Sequence, residues 1–452
     1  MCIRDRQSPW RSAREQEELE YLLGVVRFAD EYRGVSGVEA YWDDELRGRN
    51  GYREDVGLED VYGRGGLSRV QPPVDGLDLQ LTLVADVQLA AERVLADPTP
   101  PDDPDWDPAW YRHPVGAAVL LTVDGDLVAA ASCPAPYAPV DESAPPHRQL
   151  HFERALGKPD FQPLGSVFKP FVAAWALSER PDYDPWMGYP CEPEPGTPPA
   201  YGNVRCWKRW GHGQGVDLHA ALLGSCNVYF ARLGELFGQE DFRSTAATFG
   251  FGRPTGIQQV EGRRGFGEAA FPQLFERRLS PIDRRRAANG LSVVEGNPVQ
   301  VGRAMAGLAT GSLPSVRLVQ RVGGEALPRP RPVTLGLQPE ALEAVRRAMI
   351  GVAGDPAGTA HGALGAAQVG YSLAVKTGSA DLDPRSDDDR PGRKHTWVAG
   401  WLPARDPRAV FVVFVYETYV TSSHGAVYVA QDLLRQPEVV AWLAGLGVER
   451  AP

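Results

Sequence analysis

The chain has 452 residues, of which 43% are hydrophobic and 23% charged, and its formal net charge is −11. This length allows two or three domains, and the composition is ordinary for a globular protein with a sizeable core. The negative charge argues against a nucleic-acid partner. The sequence as given shows no run of 18 apolar residues and no signal peptide, and its charged first residues resemble the start of a fragment.

The N-terminal part of the chain carries only short patterns. Residues 13–30 predict an amphipathic helix, and a glycine- and charge-rich stretch follows to residue 66. Pro72-Pro73 then marks a boundary. We therefore expect a partial N-terminal domain over residues 1–75 and a second domain over residues 76–450.

Strand patterns cluster at the two ends of the second domain. Asp124-Gly125-Asp126 between two apolar runs predicts a β-hairpin. Residues 410–416 are nearly all apolar, which favours a central strand. This order indicates an α+β domain whose early and late segments form one antiparallel sheet. The predicted strands are 79–83, 116–123, 127–132, 370–375, 396–402 and 410–416.

Helical patterns fill the middle of the chain and close it. They predict a helical lobe inserted between the early and late strands, with a site at the seam between this lobe and the sheet. The predicted helices are 86–95, one that begins near Ser166, 217–236, 301–308, 342–352 and 427–443.

Ser166 and Lys169 stand three residues apart before an apolar run. Proline is tolerated without loss in the first helical turn, so Pro170 places the helix start near Ser166. Side chains three apart share a helix face, and a buried lysine can lose its charge and accept the hydroxyl proton. The positive end of the helix would lie beside any oxyanion. Taken alone, however, this spacing is more often a solvated helix start.

Two further motifs follow, Ser225-Cys226-Asn227 in a predicted helix and Lys376-Thr377-Gly378-Ser379 at the end of a predicted strand. Alone, each also fits a structural role, as a helix start or a solvated strand end. Among 47 basic residues only five are lysines, and two of them fall in these motifs, which suggests a need for a deprotonatable amine. The three motifs in this order are the signature of β-lactamases and penicillin-binding proteins.

The five cysteines show no metal-ligand spacing, so the sequence predicts no zinc site, no other metal and no cofactor. Cys191 and Cys206 flank a proline- and glycine-rich loop. They fit a disulfide in an oxidising compartment and two free thiols equally well. Cys226 is expected to be a small core residue rather than a nucleophile.

Over nearly its full length the chain resembles the class B penicillin-binding proteins, which are peptidoglycan D,D-transpeptidases. This resemblance implies the β-lactamase/transpeptidase-like fold: a five-stranded antiparallel sheet flanked by helices, with an inserted all-helical lobe. It also implies that the N-terminal domain is a non-catalytic pedestal or dimerisation domain. Where the family usually carries Gly-Gln-Gly, this chain has Glu295-Gly296-Asn297. Besides the three motifs, the matching segments are Gly34-x-x-Gly37-x-Glu39, 116–134, Gly358-Thr359-Ala360 and His395-x-Trp397-Val398-x-Gly400.

The resemblance also implies catalytic roles for five residues. Ser166 would attack the substrate carbonyl, Lys169 would take the serine proton, and Ser225 would relay a proton to the leaving amine. Asn227 would hold Lys169 and the peptide amide. Lys376 would bind the terminal carboxylate of the substrate, a task that suits charge-assisted hydrogen bonds.

Three residues next to Lys376 would complete substrate binding. The hydroxyls of Thr377 and Ser379 would assist at the carboxylate, and Gly378 would leave room for the substrate backbone. The backbone N–H groups of Ser166 and Ser379 would form the oxyanion hole.

The substrates implied by the resemblance are peptidoglycan stem peptides that end in D-Ala-D-Ala, and β-lactams would remain as esters on the serine. A glycosyltransferase of the cell-wall machinery is the implied protein partner. The implied location is the outer face of the bacterial cytoplasmic membrane, through an anchor that this sequence lacks. A role in elongation or in division, and the type of cross-link, are left open.

Two other functions stay open. A serine β-lactamase or D,D-carboxypeptidase would use water in place of the acceptor amine, although this catalytic region is long for a β-lactamase. From another class, the protein could be a β-lactam-binding sensor or a non-catalytic cell-wall scaffold. The intact motif set disfavours a scaffold, and a sensor would need a signalling domain.

Overall fold

The structure is a computed structural model that falls into two compact units. The smaller unit holds the described residues up to Thr82 and Leu318–Arg329. The larger unit holds the described residues of Leu83–Ile257, Glu268–Arg317 and Pro330–Pro452, and it contains all three sequence motifs. The described residues are 2–3, 26–28, 32–34, 37–56, 67–99, 115–134, 155, 162–257, 278–381, 394–418 and 424–451.

The smaller unit is built from short antiparallel strands and two short helices. Its helices, Gly37–Tyr41 and Asp43–Leu46, bury Val38, Trp42 and Leu46. A four-stranded sheet is formed, in spatial order, by Cys2–Ile3, Leu79–Leu81, Val319–Val322 and Glu325–Ala326. Two hairpins pair Val26–Phe28 with Tyr32–Gly34 and Tyr52–Val56 with Leu67–Gln71.

The helix predicted over 13–30 is wrong for its last residues. Val26–Phe28 pairs as a strand with Tyr32–Gly34. Cross-strand pairing to the residues that follow overrides the helical spacing, and valine and phenylalanine suit a strand. The rest of the predicted helix lies outside the described residues.

A five-stranded antiparallel sheet forms the centre of the larger unit. Its strands are β1 (Gly116–Thr122), β2 (Leu127–Cys133), β3 (Ala374–Asp381), β4 (Lys394–Leu402) and β5 (Ala409–Thr418). Their spatial order is β3-β4-β5-β1-β2. β5 contains the run predicted to be central, and it lies in the middle of the sheet with its apolar residues buried. The expected antiparallel sheet is therefore confirmed.

Helices flank this sheet and fill the insertion between β2 and β3. The helices are α1 (Ala85–Ala96), α2 (Lys169–Glu179), α3 (Leu218–Leu223), α4 (Asn227–Leu236), α5 (Gln239–Thr248), α6 (Pro281–Ala287), α7 (Pro298–Thr310), α8 (Pro339–Gly354), α9 (His361–Leu364), α10 (Ala366–Val369), α11 (His424–Arg435) and α12 (Pro437–Gly445). Helices α1, α11 and α12 bury apolar residues in one core with one side of the sheet, whereas α7 packs against β1, β4 and β5.

Short strand pairs fix the loops of the insertion. One of them joins Gln162–Pro163, just before the serine motif, to Glu295–Gly296. Glu295, where the sequence departs from the family pattern, therefore lies in a short antiparallel strand pair. The other pairs are Tyr189–Cys191 with Gly213–Val216, Ala200–Tyr201 with Val204–Arg205, and Ser312–Leu313 with Val333–Thr334.

Two predicted helices are each split in the structure. The helix predicted over 217–236 is interrupted between Leu223 and Asn227, where Ser225 adopts a φ of 54°. The helix predicted over 427–443 stops at Arg435 and begins again at Pro437, because proline lacks the N–H that a continuing helix needs.

Candidate active site

Ser166 lies in a 3₁₀ turn, Gly165–Phe168, that leads directly into α2. Pro170 occupies the first turn of that helix, where its missing N–H costs nothing. Gly165 has a φ of 56°, and a Cβ at this position would lie 2.5 Å from the carbonyl oxygen of Ser379. Only glycine tolerates both this positive φ and this short distance to the neighbouring backbone. It allows the serine turn to approach the backbone of β3 closely.

The close contact between the serine turn and β3 also explains why residue 378 of β3 is a glycine. A Cβ there would lie 3.0 Å from the backbone nitrogen of Val167 and 3.1 Å from the carbonyl oxygen of Leu164. Room for a substrate backbone stays a prediction for Gly378, and the structure adds a packing demand from the serine turn. Trp397 of β4 also donates to the carbonyl of Pro163 at 2.9 Å. The serine turn is thus held against the sheet.

The amine of Lys169 is completely buried and makes three hydrogen bonds. It donates to Asn227 Oδ1 at 2.8 Å, to the carbonyl of Ser225 at 3.0 Å and to Ser225 Oγ at 3.4 Å. Its three donors thus point to the second motif rather than to Ser166. Hydrogen bonds of a catalytic base often tighten only when substrate is bound, so this geometry is compatible with a base at Lys169.

Ser225 accepts hydrogen bonds from both buried lysines. Lys376 Nζ reaches Ser225 Oγ at 2.9 Å and also donates to the carbonyl of Thr377 at 2.9 Å. A φ of 54° is uncommon for a residue with a side chain, and at Ser225 it turns the chain between α3 and α4. The strained turn aims one hydroxyl at amines from two distant segments.

Burial governs the charge of these two amines. It lowers the pKa of Lys169 to about 8, although the nearby thiols of Cys226, Cys206 and Cys191 act in the opposite direction. Burial also lowers the pKa of Lys376 well below its usual value, and the Lys169 charge lowers it further. Two ammonium groups on one hydroxyl disfavour each other. A carboxylate bound at Lys376 would hold the proton there and leave Lys169 neutral.

Hydroxyl side chains follow Lys376 along β3. Thr377 and Ser379 are two residues apart and therefore share one face of the strand. The Thr377 hydroxyl makes a 2.7 Å hydrogen bond with the hydroxyl of Thr359. The sequence assigns no role to Thr359 beyond its place in the Gly-Thr-Ala match, so this contact adds a residue to the candidate site.

Backbone contacts position Asn227 and its neighbours. Asn227 Nδ2 donates to the carbonyl of Arg205 at 3.0 Å, and Asn289 Nδ2 donates to the carbonyl of Asn227 at 3.3 Å. Cys226 is completely buried and caps α4, where its sulfur accepts a hydrogen bond from the N–H of Tyr229 at 3.5 Å.

His395 is buried against the rings of Phe414 and Tyr416.

The structure also brings together four residues that sequence spacing did not connect: Cys191, Cys206, His212 and Cys226. Their ligand atoms lie within 4.8 Å of one another. All three cysteines are free thiols in the structure, including the pair for which a disulfide was considered. Short strands and helix α3 lie between these residues in the sequence, so only the folded chain reveals the cluster.

Comparisons with known proteins assign the family. Residues 117–435 match the family described as "Penicillin binding protein transpeptidase domain". The chain is 29% identical over 416 residues to Stage V sporulation protein D of Bacillus subtilis, covering 87% of this chain and 58% of the relative. It is 25% identical to the peptidoglycan D,D-transpeptidase MrdA of Salmonella typhimurium, covering 86% and 63%. The chain thus spans about three fifths of the length of these relatives.

A solved structure shows the same fold. Pseudomonas aeruginosa PBP2 in complex with WCK 5153 superposes with a TM-score of 0.71 at 22% identity, covering 99% of this chain and 95% of that one. Together with the motif geometry, the match over most of the chain is decisive. The chain belongs to the penicillin-binding protein transpeptidase family, as the motifs indicated.

Proposed function

We propose that this chain is the catalytic part of a peptidoglycan D,D-transpeptidase and that penicillins acylate it. One observation carries the proposal: Lys169 and Lys376 both donate to the hydroxyl of Ser225, and Lys169 directly follows the turn that contains Ser166. Family membership and relatives named as peptidoglycan D,D-transpeptidases support the reaction class.

The first step forms an ester on Ser166. Its Oγ attacks the carbonyl carbon between the two D-alanines while the neutral amine of Lys169 takes the hydroxyl proton. Ser225 passes a proton to the leaving nitrogen, the C–N bond breaks, and the terminal D-alanine departs. Hydrogen bonds from both lysines to Ser225 support this relay.

The carboxylate of the terminal D-alanine binds at β3 in this proposal. Lys376 supplies the charge, and Thr377 and Ser379 supply hydroxyls from the strand face that these two residues share. The backbone N–H groups of Ser166 and Ser379 stabilise the oxyanion. The close approach of Gly165 to Ser379 supports this pairing, because it brings the two backbone segments together.

The second step resolves the ester. An amine from a neighbouring stem peptide attacks the ester carbonyl, the C–O bond to Ser166 breaks, and Ser166 recovers its proton. A β-lactam follows only the first step: its ring amide opens on Ser166, but the leaving nitrogen stays tethered and blocks the acceptor amine.

We further propose that residues 1–75 are part of a non-catalytic N-terminal domain and residues 76–450 the transpeptidase domain. The full-length protein would act on the outer face of the cytoplasmic membrane with a cell-wall glycosyltransferase. The names of the relatives support a place in cell-wall synthesis. In the part of the chain that the structure describes, no helix is long and apolar enough to cross a membrane.

A fluorescent penicillin is expected to label the wild-type chain covalently and to leave Ser166→Ala unlabelled, because only the Ser166 hydroxyl can form the ester. Labelling is read on a denaturing gel. Ser178→Ala serves as the matched control, since Ser178 lies at the other end of α2 and bonds Glu179 and Gln338. Full labelling of Ser166→Ala, or none of the folded wild type, would refute the proposal.

The lifetime of the adduct separates the proposal from its nearest alternative. A transpeptidase keeps the penicilloyl ester for a long time, whereas a β-lactamase hydrolyses it rapidly and turns over a chromogenic cephalosporin. We expect a persistent adduct and no rapid turnover.

A further inference from the structure

The cluster of Cys191, Cys206, His212 and Cys226 lies outside the roles assigned above. The three cysteines are buried, with at most 4% of their surface exposed. Cys191 ends the short strand Tyr189–Cys191, and Cys226 caps α4. Four donors of this kind, three sulfurs and one imidazole nitrogen within 4.8 Å of one another, match the ligand set of a structural zinc site.

The distances within the cluster fit a tetrahedral metal centre. His212 Nδ1 lies 3.5 Å from the sulfur of Cys191 and 3.3 Å from the sulfur of Cys206. With Zn–S bonds of about 2.3 Å and Zn–N bonds of about 2.0 Å, tetrahedral geometry separates sulfur from nitrogen by about 3.5 Å. A zinc ion would therefore need only small shifts of these side chains.

The imidazole of His212 is oriented for binding. Its Nε2 lies 2.8 Å from the carbonyl oxygen of Gly224. A carbonyl can only accept, so Nε2 carries the proton, and in the neutral ring the lone pair of Nδ1 faces the sulfurs. Metal-binding histidines usually donate their second N–H in this way. Trp207 Nε1 donates to the same carbonyl at 3.0 Å and its ring packs edge-on against the imidazole.

Backbone contacts preassemble the loops that carry these donors. The N–H of His212 donates to the carbonyl of Cys191 at 2.9 Å, and the N–H of Cys206 donates to that of Pro199 at 2.7 Å. Gly211 has a φ of 75°, and a Cβ there would overlap the carbonyl oxygen of Cys191. These contacts hold the segments that carry the donors close together.

We propose that Cys191, Cys206, His212 and Cys226 bind one zinc ion, which holds the Ser225-Cys226-Asn227 turn in its active shape. The four protein ligands close the coordination shell, so the ion is structural and takes no part in the reaction. The ion is linked to activity through the backbone, because its ligand Cys226 belongs to the same turn as two site residues; this link rests on the proposed function. Cys226 stands between the proton-relay residue Ser225 and Asn227, and Asn227 also bonds the carbonyl of Arg205, next to Cys206.

The strain at Ser225 gives this link a physical reason. A left-handed φ on a residue with a side chain is energetically unfavourable and persists only where the surroundings enforce it. A thiolate–metal bond at the next residue supplies such enforcement. Without the ion, we expect the turn to relax and both lysine contacts to Ser225 Oγ to weaken.

Metal analysis tests the site itself. The full chain, purified under reducing conditions and dialysed against buffer with trace zinc, is expected to hold one zinc per molecule by mass spectrometry of the metal. Substitution by Co²⁺ should give the intense visible bands of a tetrahedral site and the charge-transfer absorption of cobalt–thiolate bonds. A folded chain that takes up neither ion, or that carries a Cys191–Cys206 disulfide in peptide maps, would overturn the proposal.

Matched variants test the ligands. Cys206→Ser and His212→Asn are expected to bind zinc at least about tenfold more weakly. Cys133→Ala, which removes a buried thiol of β2 outside the cluster, should keep full zinc content. Loss of zinc in Cys133→Ala, or full retention in both ligand variants, would contradict the assignment. The wild-type metal content decides the case if a ligand variant does not fold.

Removal of the ion tests its link to the active site. After chelation, the rate of penicillin labelling should fall at least about tenfold and recover when zinc is restored. Losses of about this size are seen when contacts that orient the ligands of a metal site are removed. Unchanged labelling of the zinc-free chain would refute the link while leaving the site intact. A zinc-loaded chain that penicillin does not label would refute the proposed function and leave the metal site standing.

Discussion

Replacing Lys169 with methionine is expected to lower the rate constant for acylation by penicillin about 10³-fold or more. Methionine keeps most of the buried volume but removes the amine, so Ser166 loses the base that takes its proton. A positioned general base contributes about 10² to 10⁴ in rate, and 10³ corresponds to about 4 kcal/mol. The measurement is the second-order rate constant from a time course of fluorescent labelling.

The variant Lys169→Arg tests whether Lys169 acts as a base or only as a positive charge. Lys169→Arg keeps a cation near Ser225 and Asn227, but a guanidinium does not lose its proton in proteins. We expect it to be as inactive as Lys169→Met, whereas Lys208→Met, at an exposed lysine, should react at the wild-type rate. Thermal unfolding confirms that each variant is folded. Near wild-type acylation of a folded Lys169→Arg would show that Lys169 acts as a charge and not as a base.

The rate of acylation is expected to rise about tenfold for each pH unit up to about 8 and then to level off. Burial lowers the pKa of Lys169 to about 8, and only the neutral amine can accept the serine proton. Two units below that pKa, about 1% of the amine is neutral, so the rate should fall about a hundredfold. The measurement is the labelling rate constant over this pH range, at constant ionic strength.

Several groups face Lys169 and define what the pH profile reports. Lys376 shares the hydroxyl of Ser225 with it, and the thiols of Cys226, Cys206 and Cys191 raise its pKa. The apparent pKa therefore belongs to a coupled group of sites. Unfolding is monitored at each pH as the control. A rate that stays flat or falls as the pH rises towards 8 in a folded chain would contradict a neutral Lys169.

Much of the sheet could be predicted because its strands are apolar and bounded by turn signals. Residues 410–416 are almost continuously apolar, as expected of a strand covered on both faces, and they form the middle of the sheet. The hairpin around Asp124-Gly125-Asp126 joins β1 and β2 as its sequence indicated. Local patterns suffice where periodicity and turn chemistry agree.

The split helices had different causes, and only one left a signal. Pro437 marks the break between α11 and α12, and this signal is visible in the sequence. The break at Ser225 has no such marker, since a serine rarely adopts a left-handed φ and neighbouring segments impose it. Strain of this kind at a motif residue is typical of functional sites.

The candidate site could be predicted as a set of residues but not as a geometry. The motif order predicts Ser166, Lys169 and Lys376 as site residues, and the scarcity of lysine points to two amines that are completely buried. The sequence alone could not show that both amines meet at Ser225 Oγ, that the Thr359 and Thr377 hydroxyls form a hydrogen bond, or that three cysteines cluster with His212. Those contacts depend on loops whose paths only tertiary packing determines.

The most direct test of this account is the position of the covalent adduct. After reaction with benzylpenicillin, intact mass spectrometry should show one penicilloyl group per chain, and peptide mapping should place it on Ser166. An adduct on another residue, such as Ser225, or an unmodified chain that is fully folded, would contradict the central claim.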